Sequence, residues 1–264
     1  MKIGFIGTGN MGGALAQAVA RTGYAEVLLA DKAADKAAEL AERIGAKAVD
    51  VTDVAAEADY IFLGVKPQVM ELCLAELKDI LASRKDRFVL VTMAAGMKME
   101  KILSLAGGSY PIIRIMPNTP VSIGKGVILM CASGEVTAEE KNGLKKALSM
   151  AGIVDELSEN LFEAGTAVSG CGPAYVYMCI EALADGGVQC GLPRDKAMLY
   201  AAAMLEGSAA LVQSSGKHPG ELKDAVCSPG GSTIAGVHAL EMNGFRNALM
   251  DAVEAGYERT KELG

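Results

Sequence analysis

The sequence predicts an α/β chain, with a doubly wound parallel sheet over residues 1–158 followed by an all-helical part over residues 159–264. Three observations predict it. Short apolar runs alternate with helix-forming stretches from residue 3 to residue 154. Strand signals vanish at 156–160, and only helical patterns follow. The first apolar run enters a turn with glycines at 7, 9 and 12, then passes into an alanine-rich helix.

That turn carries the first functional reading. The pattern Gly7-Thr8-Gly9-Asn10-Met11-Gly12 follows the run Ile3–Ile6 and precedes Ala14-Leu15-Ala16-Gln17. Strand, glycine turn and helix form the context in which G-x-G-x-x-G signifies a Rossmann-type dinucleotide site. Gly7 permits the tight turn, Gly9 lets backbone approach a pyrophosphate, and Gly12 brings helix close to strand. Thr8, Asn10 and Met11 complete a cofactor-binding surface at the helix N-terminus, whose free N–H groups favour phosphate. Taken alone, the glycines would also suit a plain β–α turn.

Further strands are expected at 26–30, 46–49, 60–63, 88–91 and 112–115, with helices at 33–44 and 69–81. Residues 127–130 suggest an edge strand, 137–150 a helix capped by Thr137, and 153–154 a last strand. Glycine- or proline-rich turns fall at the carboxyl ends of strands, at 7–13, 64–68, 94–96 and 116–120. Ligands of doubly wound sheets bind beyond those ends. Val65, Lys66 and Pro67, with Ala94, Ala95 and Gly96, are accordingly read as cofactor-binding.

Asp31-Lys32 ends the second strand. A carboxylate there takes the ribose hydroxyls of NAD and repels a 2′-phosphate. Lys32 pulls toward phosphate instead. The reading is use of both NADH and NADPH, with NADH competitive.

Beyond residue 160 the expected helices are 161–168, 174–190, 194–214, 220–227 and 244–263, with Pro173, Pro193 and Pro219 at helix starts. The stretch 197–212 is apolar almost all round and is interrupted by Glu206. It is shorter than the roughly 20 residues of a membrane span. Such a helix is buried on several faces, in a subunit contact or at the centre of a monomeric bundle.

Composition narrows the classes. Charged residues make up 22% and hydrophobic ones 51%, which excludes a disordered chain. A net charge of −7 gives no basic field for nucleic acid. No membrane partner is expected, and the apolar start is broken too early for a signal peptide. Six scattered cysteines without a C-x-x-C pair read as reduced thiols in a cytoplasmic protein, and two histidines argue against a metal site.

Several stretches then align with one family. They are Phe5-Ile6-Gly7-Thr8-Gly9-Asn10-Met11, Gly64-Val65-Lys66-Pro67-Gln68, Ala94-Ala95-Gly96, the run from Arg114 to Pro120, and Ser169-Gly170-Cys171-Gly172-Pro173-Ala174-Tyr175. The most specific is Asp224-Ala225-Val226-Cys227-Ser228-Pro229-Gly230-Gly231-Ser232-Thr233-Ile234-Ala235-Gly236. In this order and over essentially the whole chain, they resemble pyrroline-5-carboxylate reductase.

The resemblance implies a cytoplasmic reductase that passes hydride from NADPH or NADH to the C=N carbon of 1-pyrroline-5-carboxylate, giving L-proline. It also implies C-terminal helices that interleave into a homodimer, with larger homo-oligomers such as a decamer built on it. Members commonly carry small polar or basic residues where Asp31 stands and prefer NADPH, so Asp31 departs from the pattern.

The substrate is a small imine bearing a carboxylate, and it is reactive once protonated on nitrogen. Orientation matters more for it than a strong acid. Ser228, Gly230, Gly231, Ser232 and Thr233 open a helix, and free N–H groups there make an anion site for the carboxylate. By resemblance the Thr233 hydroxyl meets the ring nitrogen as the catalytic contact, Ser228 shapes the loop, and Glu159 lies near substrate and cofactor. An ordinary capped helix start, and a solvated junction for Glu159, are the plain alternatives. His218 reads as helix-start architecture, His238 as structural, and Glu181 with Asp185 as a polar helix face.

Two other functions stay open on the sequence. One is a related imine or β-hydroxy acid oxidoreductase, for which Lys196, Lys217 and Lys223 are available lysines. The other is a dinucleotide-sensing oligomer without catalysis.

Overall fold

The computed structural model describes residues 1–263. The chain divides into two compact units, Met1–Cys171 together with the stretch from Gly256 on, and Gly172–Ala255. Strands end at Glu156, close to the expected change of pattern. Residues 159–171 nonetheless group with the sheet.

In the first unit, eight strands form one sheet: β1 (Lys2–Ile6), β2 (Glu26–Ala30), β3 (Lys47–Ala48), β4 (Tyr60–Leu63), β5 (Val89–Thr92), β6 (Ile112–Pro117), β7 (Gly126–Ala132) and β8 (Gly152–Glu156). Their order is β3-β2-β1-β4-β5-β6-β7-β8. Every pairing is parallel except β6 with β7. The order reverses between β1 and β4, and the glycine turn sits at that switch point.

The helices of this unit are α1 (Asn10–Thr22), α2 (Ala34–Ile44), α3 (Val51–Glu57), α4 (Pro67–Ser83), α5 (Met99–Ala106), α6 (Ala138–Ala147) and the short α7 (Phe162–Gly165). They cover both faces of the sheet, so its strands are buried runs rather than alternating ones. Ile3 and Phe5 pack with Leu15 and Val19 of α1 on one face, and Ile6 packs with Val54, Leu74 and Leu77 on the other. Each such side chain removed from water contributes roughly 1.5–3 kcal/mol. Phe5 stacks on Phe62 of the neighbouring strand, ring centroids 4.3 Å apart.

Several expectations need correction. The strand at 127–130 lies inside the sheet and runs antiparallel to β6, while β8 is the edge. Helices α3 and α5 occupy stretches for which no element was expected. The expected helix at 161–168 is instead a 3-10 turn (Glu159–Leu161), α7, and a π-helical turn (Thr166–Gly170). The Thr166 hydroxyl donates to Phe162 O (2.7 Å) and the Ser169 hydroxyl to Gly165 O (2.9 Å). Hydroxyls that take carbonyls one turn back bend a helix and loosen its regular ladder.

The second unit is helical: α8 (Gly172–Gln189), α9 (Arg194–Ser215), α10 (Pro219–Ala225), α11 (Ser232–Met242) and α12 (Phe245–Glu262), whose last residues belong to the first unit. Antiparallel α8 and α9 meet over Ala184, Ala197 and Ala201, with Ile180 and Val188 packed against them. That is a very small core. Met178, Leu199, Tyr200, Leu211, Met242 and Met250 are all exposed on the single chain. His218 Nδ1 accepts from Gly220 N–H (3.1 Å) and caps α10, as its helix-start reading implied, while Asp185 pairs with Arg194.

Candidate functional site

The ends of β1, β2, β4 and β5 come out level. Ile6 pairs with Ala30 and Leu63, and Leu63 with Thr92. The turns at 7–13, 64–68 and 94–96 therefore leave one edge of the sheet together, as read from the sequence, with Asp31 and Lys32 between them at the end of β2, while β6 runs past the end of β5 before the turn at 116–120.

Within the glycine turn, each glycine answers a different constraint. Gly7 has φ 101°, and a Cβ there would lie 2.8 Å from the backbone of Gly64. A Cβ on Gly12 would lie 2.1 Å from the Gly7 carbonyl oxygen, so helix and turn touch without room for a methyl group. A Cβ on Gly9 would meet no atom of the described residues within 4 Å. Space is left at that one position, where a pyrophosphate would approach. Gly9 is also the N-cap of α1, with no side-chain cap and no acidic residue in the first turn. The amides of Asn10, Met11 and Gly12 precede the first helical bond, from Gly13 N–H to Gly9 O (2.8 Å). The residues fit a dinucleotide: bare donors, a positive dipole end and an open approach.

Asp31 is tied into this turn. Its Oδ2 accepts from Thr8 N–H (2.7 Å) and from the Thr8 hydroxyl (3.0 Å), and its Oδ1 from Ala33 N–H (3.0 Å). Burial pushes its pKa up, but the bonds from Ala33 and Thr8, helped by Lys36, outweigh it and hold the carboxyl below the ordinary aspartate value. Lys32 is exposed beside it.

Lys66 is the N-cap of α4 and Pro67 its first residue, again with no side-chain cap. Val65 is half-buried ahead of them. Ala94 is buried, Ala95 exposed, and Gly96 turns at φ 74° against the Leu263 backbone.

Next to this edge lies a cluster the sequence did not disclose. Arg114 on β6 is 1% exposed; its guanidinium faces Glu159 (3.5 Å) and Glu163 (3.4 Å) and stacks over Phe162 at 4.7 Å. Its Nε has no hydrogen-bond partner among the described residues. Glu159 Oε1 also accepts from Met99 N–H (3.1 Å), the first amide of α5. Glu159 thus closes a helix end and faces a buried cation within the first unit. Asn118 works nearby in both directions, donating to Ser169 O and accepting from Val127 N–H, each at 2.9 Å. Beside the cluster, burial and then Glu159 push the Cys131 thiol up to about 12, which leaves it unreactive.

The second unit holds the other predicted site. Gly231 is the N-cap of α11, which begins at Ser232-Thr233 with no side-chain cap. Gly231 N–H donates to Ser228 O (3.0 Å), closing the loop, and Gly230 stands at φ 69° with nothing within 4 Å of a Cβ. The amides of Ser232, Thr233 and Ile234 precede the first helical bond, from Ala235 N–H to Gly231 O. Ser228 and Thr233 are exposed. This helix start repeats the features of α1: a glycine cap, bare amides and space in front.

The fold and the glycine turn define a Rossmann-type, dinucleotide-dependent oxidoreductase with a helical C-terminal part. Residues 2–96 match a family described as NADP oxidoreductase, coenzyme F420-dependent, and residues 159–263 one described as pyrroline-5-carboxylate reductase dimerisation. The chain belongs to the pyrroline-5-carboxylate reductase family. It is 40% identical to the pyrroline-5-carboxylate reductase of Pisum sativum over 99% of this chain and 95% of that protein. For the Escherichia coli K12 enzyme the figures are 38%, 99% and 98%. The solved pyrroline-5-carboxylate reductase of Coxiella burnetii is 31% identical with a TM-score of 0.92, covering 99% of this chain and 98% of that one. The Plasmodium falciparum enzyme, solved with NADP bound, is 32% identical with a TM-score of 0.88, covering 100% and 98%.

Proposed function

We propose that this chain reduces 1-pyrroline-5-carboxylate to L-proline with NADPH or NADH, in the cytoplasm. The observation that carries the reading is the intact Ser228–Gly236 loop and its bare helix start, within full-length similarity to reductases of that name. Bound dinucleotide supplies the hydride. On this reading Gly7, Thr8, Gly9, Asn10 and Met11 hold the pyrophosphate and Asp31 with Lys32 the adenosine ribose. Val65, Lys66, Pro67, Ala94, Ala95 and Gly96 line the path toward the nicotinamide.

The substrate carboxylate sits on the amides that open α11, with Gly230 and Gly231 giving backbone access. Ser228 keeps the loop closed and Ser232 adds a donor. The Thr233 hydroxyl bonds the ring nitrogen and so fixes the orientation of the bound imine. A site of this kind works by orientation and by favouring the charge on the bound imine. Glu159 contributes by holding Arg114 and the start of α5.

We further propose that a second copy of the chain covers the apolar helices of residues 172–255, giving a homodimer and, built on it, larger rings such as a decamer. The exposed Met178, Leu199, Tyr200 and Leu211 support it. The β-hydroxy acid alternative needs a free catalytic lysine. Of the three lysines named for that role, Lys217 pairs with Glu221 at 2.6 Å and Lys223 with Asp224, while Lys196 is exposed in the first turn of α9.

The test is turnover with 1-pyrroline-5-carboxylate, followed by the absorbance of reduced nicotinamide. Absence of turnover with either dinucleotide would sink the proposal. Thr233→Ala should lower kcat/KM by roughly 10–100-fold, the worth of one hydrogen bond to a charged group, while the Kd for dinucleotide stays unchanged. A weakened dinucleotide Kd would move that hydroxyl to the cofactor.

A further inference from the structure

We infer that Thr8 determines the choice between NADH and NADPH by fixing the Asp31 carboxylate, an inference that rests on the glycine turn being the dinucleotide site.

Thr8 stands between the glycine that turns the chain and the glycine that leaves room for a ligand. Gly7 N–H donates to Ala30 O (2.8 Å), so the turn is already fastened to the end of β2. Thr8 adds two bonds to the next residue, from its N–H and its hydroxyl to Asp31 Oδ2 at 2.7 and 3.0 Å. Ala33 N–H holds the other oxygen at 3.0 Å. Both carboxylate oxygens are thereby tied, and the group keeps one orientation.

An ionised carboxylate offers about four acceptor positions. Three are filled, and the one that remains lies on Oδ1. It can accept from a ribose hydroxyl. It has no proton to offer a phosphate, and the bonded carboxylate cannot turn its charge away from one. The favourable shift of Asp31 toward the ionised form keeps that charge in place. Without the hydroxyl, each oxygen keeps its backbone donor, and the second acceptor position on Oδ2 opens to Lys32 or Lys36, the cations a 2′-phosphate needs. The small polar side chain inside the glycine turn is therefore part of the specificity device, although Asp31 alone makes the clash.

Ligand-free protein is titrated with NADH and with NADPH, read by fluorescence. The proteins compared are wild type, Thr8→Val, Thr8→Ser, Asp31→Ser and the Thr8→Val/Asp31→Ser double variant. Thr8→Val, which keeps the shape and removes the hydroxyl, should lower the ratio Kd(NADPH)/Kd(NADH) by about tenfold. Thr8→Ser should restore the wild-type ratio. In the Asp31→Ser background, Thr8→Val should leave the ratio within about twofold, since the coupled partner is gone.

Equal weakening of both dinucleotides by Thr8→Val overturns the inference, as does the same change of ratio with Asp31 absent. A Thr8→Val protein that binds neither also overturns it, because the hydroxyl then serves the turn itself. Wild type that binds neither dinucleotide would instead sink the reading of the glycine turn, and this inference with it.

Discussion

Arg114→Met removes a buried guanidinium and keeps the length of its stem, which makes the cluster at β6 open to measurement. Removing one partner of a buried ion pair costs about 3–5 kcal/mol when the orphaned charge stays dry. Here two carboxylates would lose their cation, Glu159 keeping its bond from Met99 N–H, and they are not fully dry: the Glu159 side chain is 31% exposed and that of Glu163 16%. The contacts of 3.5 and 3.4 Å are also longer than the roughly 2.8 Å of a close charge-assisted bond. Both facts push the loss to the low end, and the lost stacking on Phe162 adds up to about 1 kcal/mol. The expected loss is about 3 kcal/mol, or a fall in thermal midpoint of roughly 6–12 °C for a chain of this size. The measurement is thermal unfolding by circular dichroism at one fixed protomer concentration, because association adds to apparent stability. Combining Arg114→Met with Glu159→Gln and Glu163→Gln should recover half of the loss or more. Glutamine leaves no charge and keeps an oxygen for Met99 N–H. A single variant within about 1 kcal/mol of wild type, or a triple variant no better than the single, refutes the reasoning.

Two further outcomes follow from the glycine edge. Gly12→Ala, whose methyl would press on the Gly7 carbonyl, should cost about 1–3 kcal/mol of stability and abolish dinucleotide binding. Gly9→Ala, which weakens only the N-cap of α1, should cost at most about 1 kcal/mol while dinucleotide affinity falls, and a stability loss as large as that of Gly12→Ala would contradict their distinct roles. The pKa of Asp31 is lower folded than unfolded. Its contribution is therefore present above the unfolded value of about 3.9 and is lost as pH falls through the lower folded value. The stability gap between wild type and Asp31→Asn should accordingly narrow below about pH 4; urea midpoints at neutral and acid pH would reveal a gap that does not.

Much of this molecule is written locally, and the parts that were not legible share a reason. The glycine turn, Thr137 as the cap of α6 and His218 as the cap of α10 are all fixed by neighbours within a few residues, and each was read. Helix α5 escaped because the residue that closes its N-terminus is Glu159, far along the chain, while its own N-cap, Lys98, makes no capping bond. Helix α3 has seven residues, too few to display a period, and its Asp50/Asp53 capping box lacks the usual serine or threonine. The direction of β7 was hidden because an apolar run carries no sign of which way it pairs. Arg114 sits inside Ile112-Ile113-Arg114-Ile115, and its carboxylates lie 45 and 49 residues away. The place of Asp31 at the end of β2 was legible, but its bonds to Thr8 were not, because they depend on β1 and β2 lying side by side.

The meagre core of residues 172–255 also bears on how the protein comes into being. Three buried alanines, with Ile180 and Val188 partly buried against them, hold α8 to α9, too little apolar surface to offset the chain entropy of some eighty residues at roughly 1–2 kcal/mol each. On the proposed dimer, a second copy supplies the remainder, and the final folding step of this region would be second order in protomer. Newly made chains would then mature at a rate set by expression level. Dilution in a test tube would act as a denaturant.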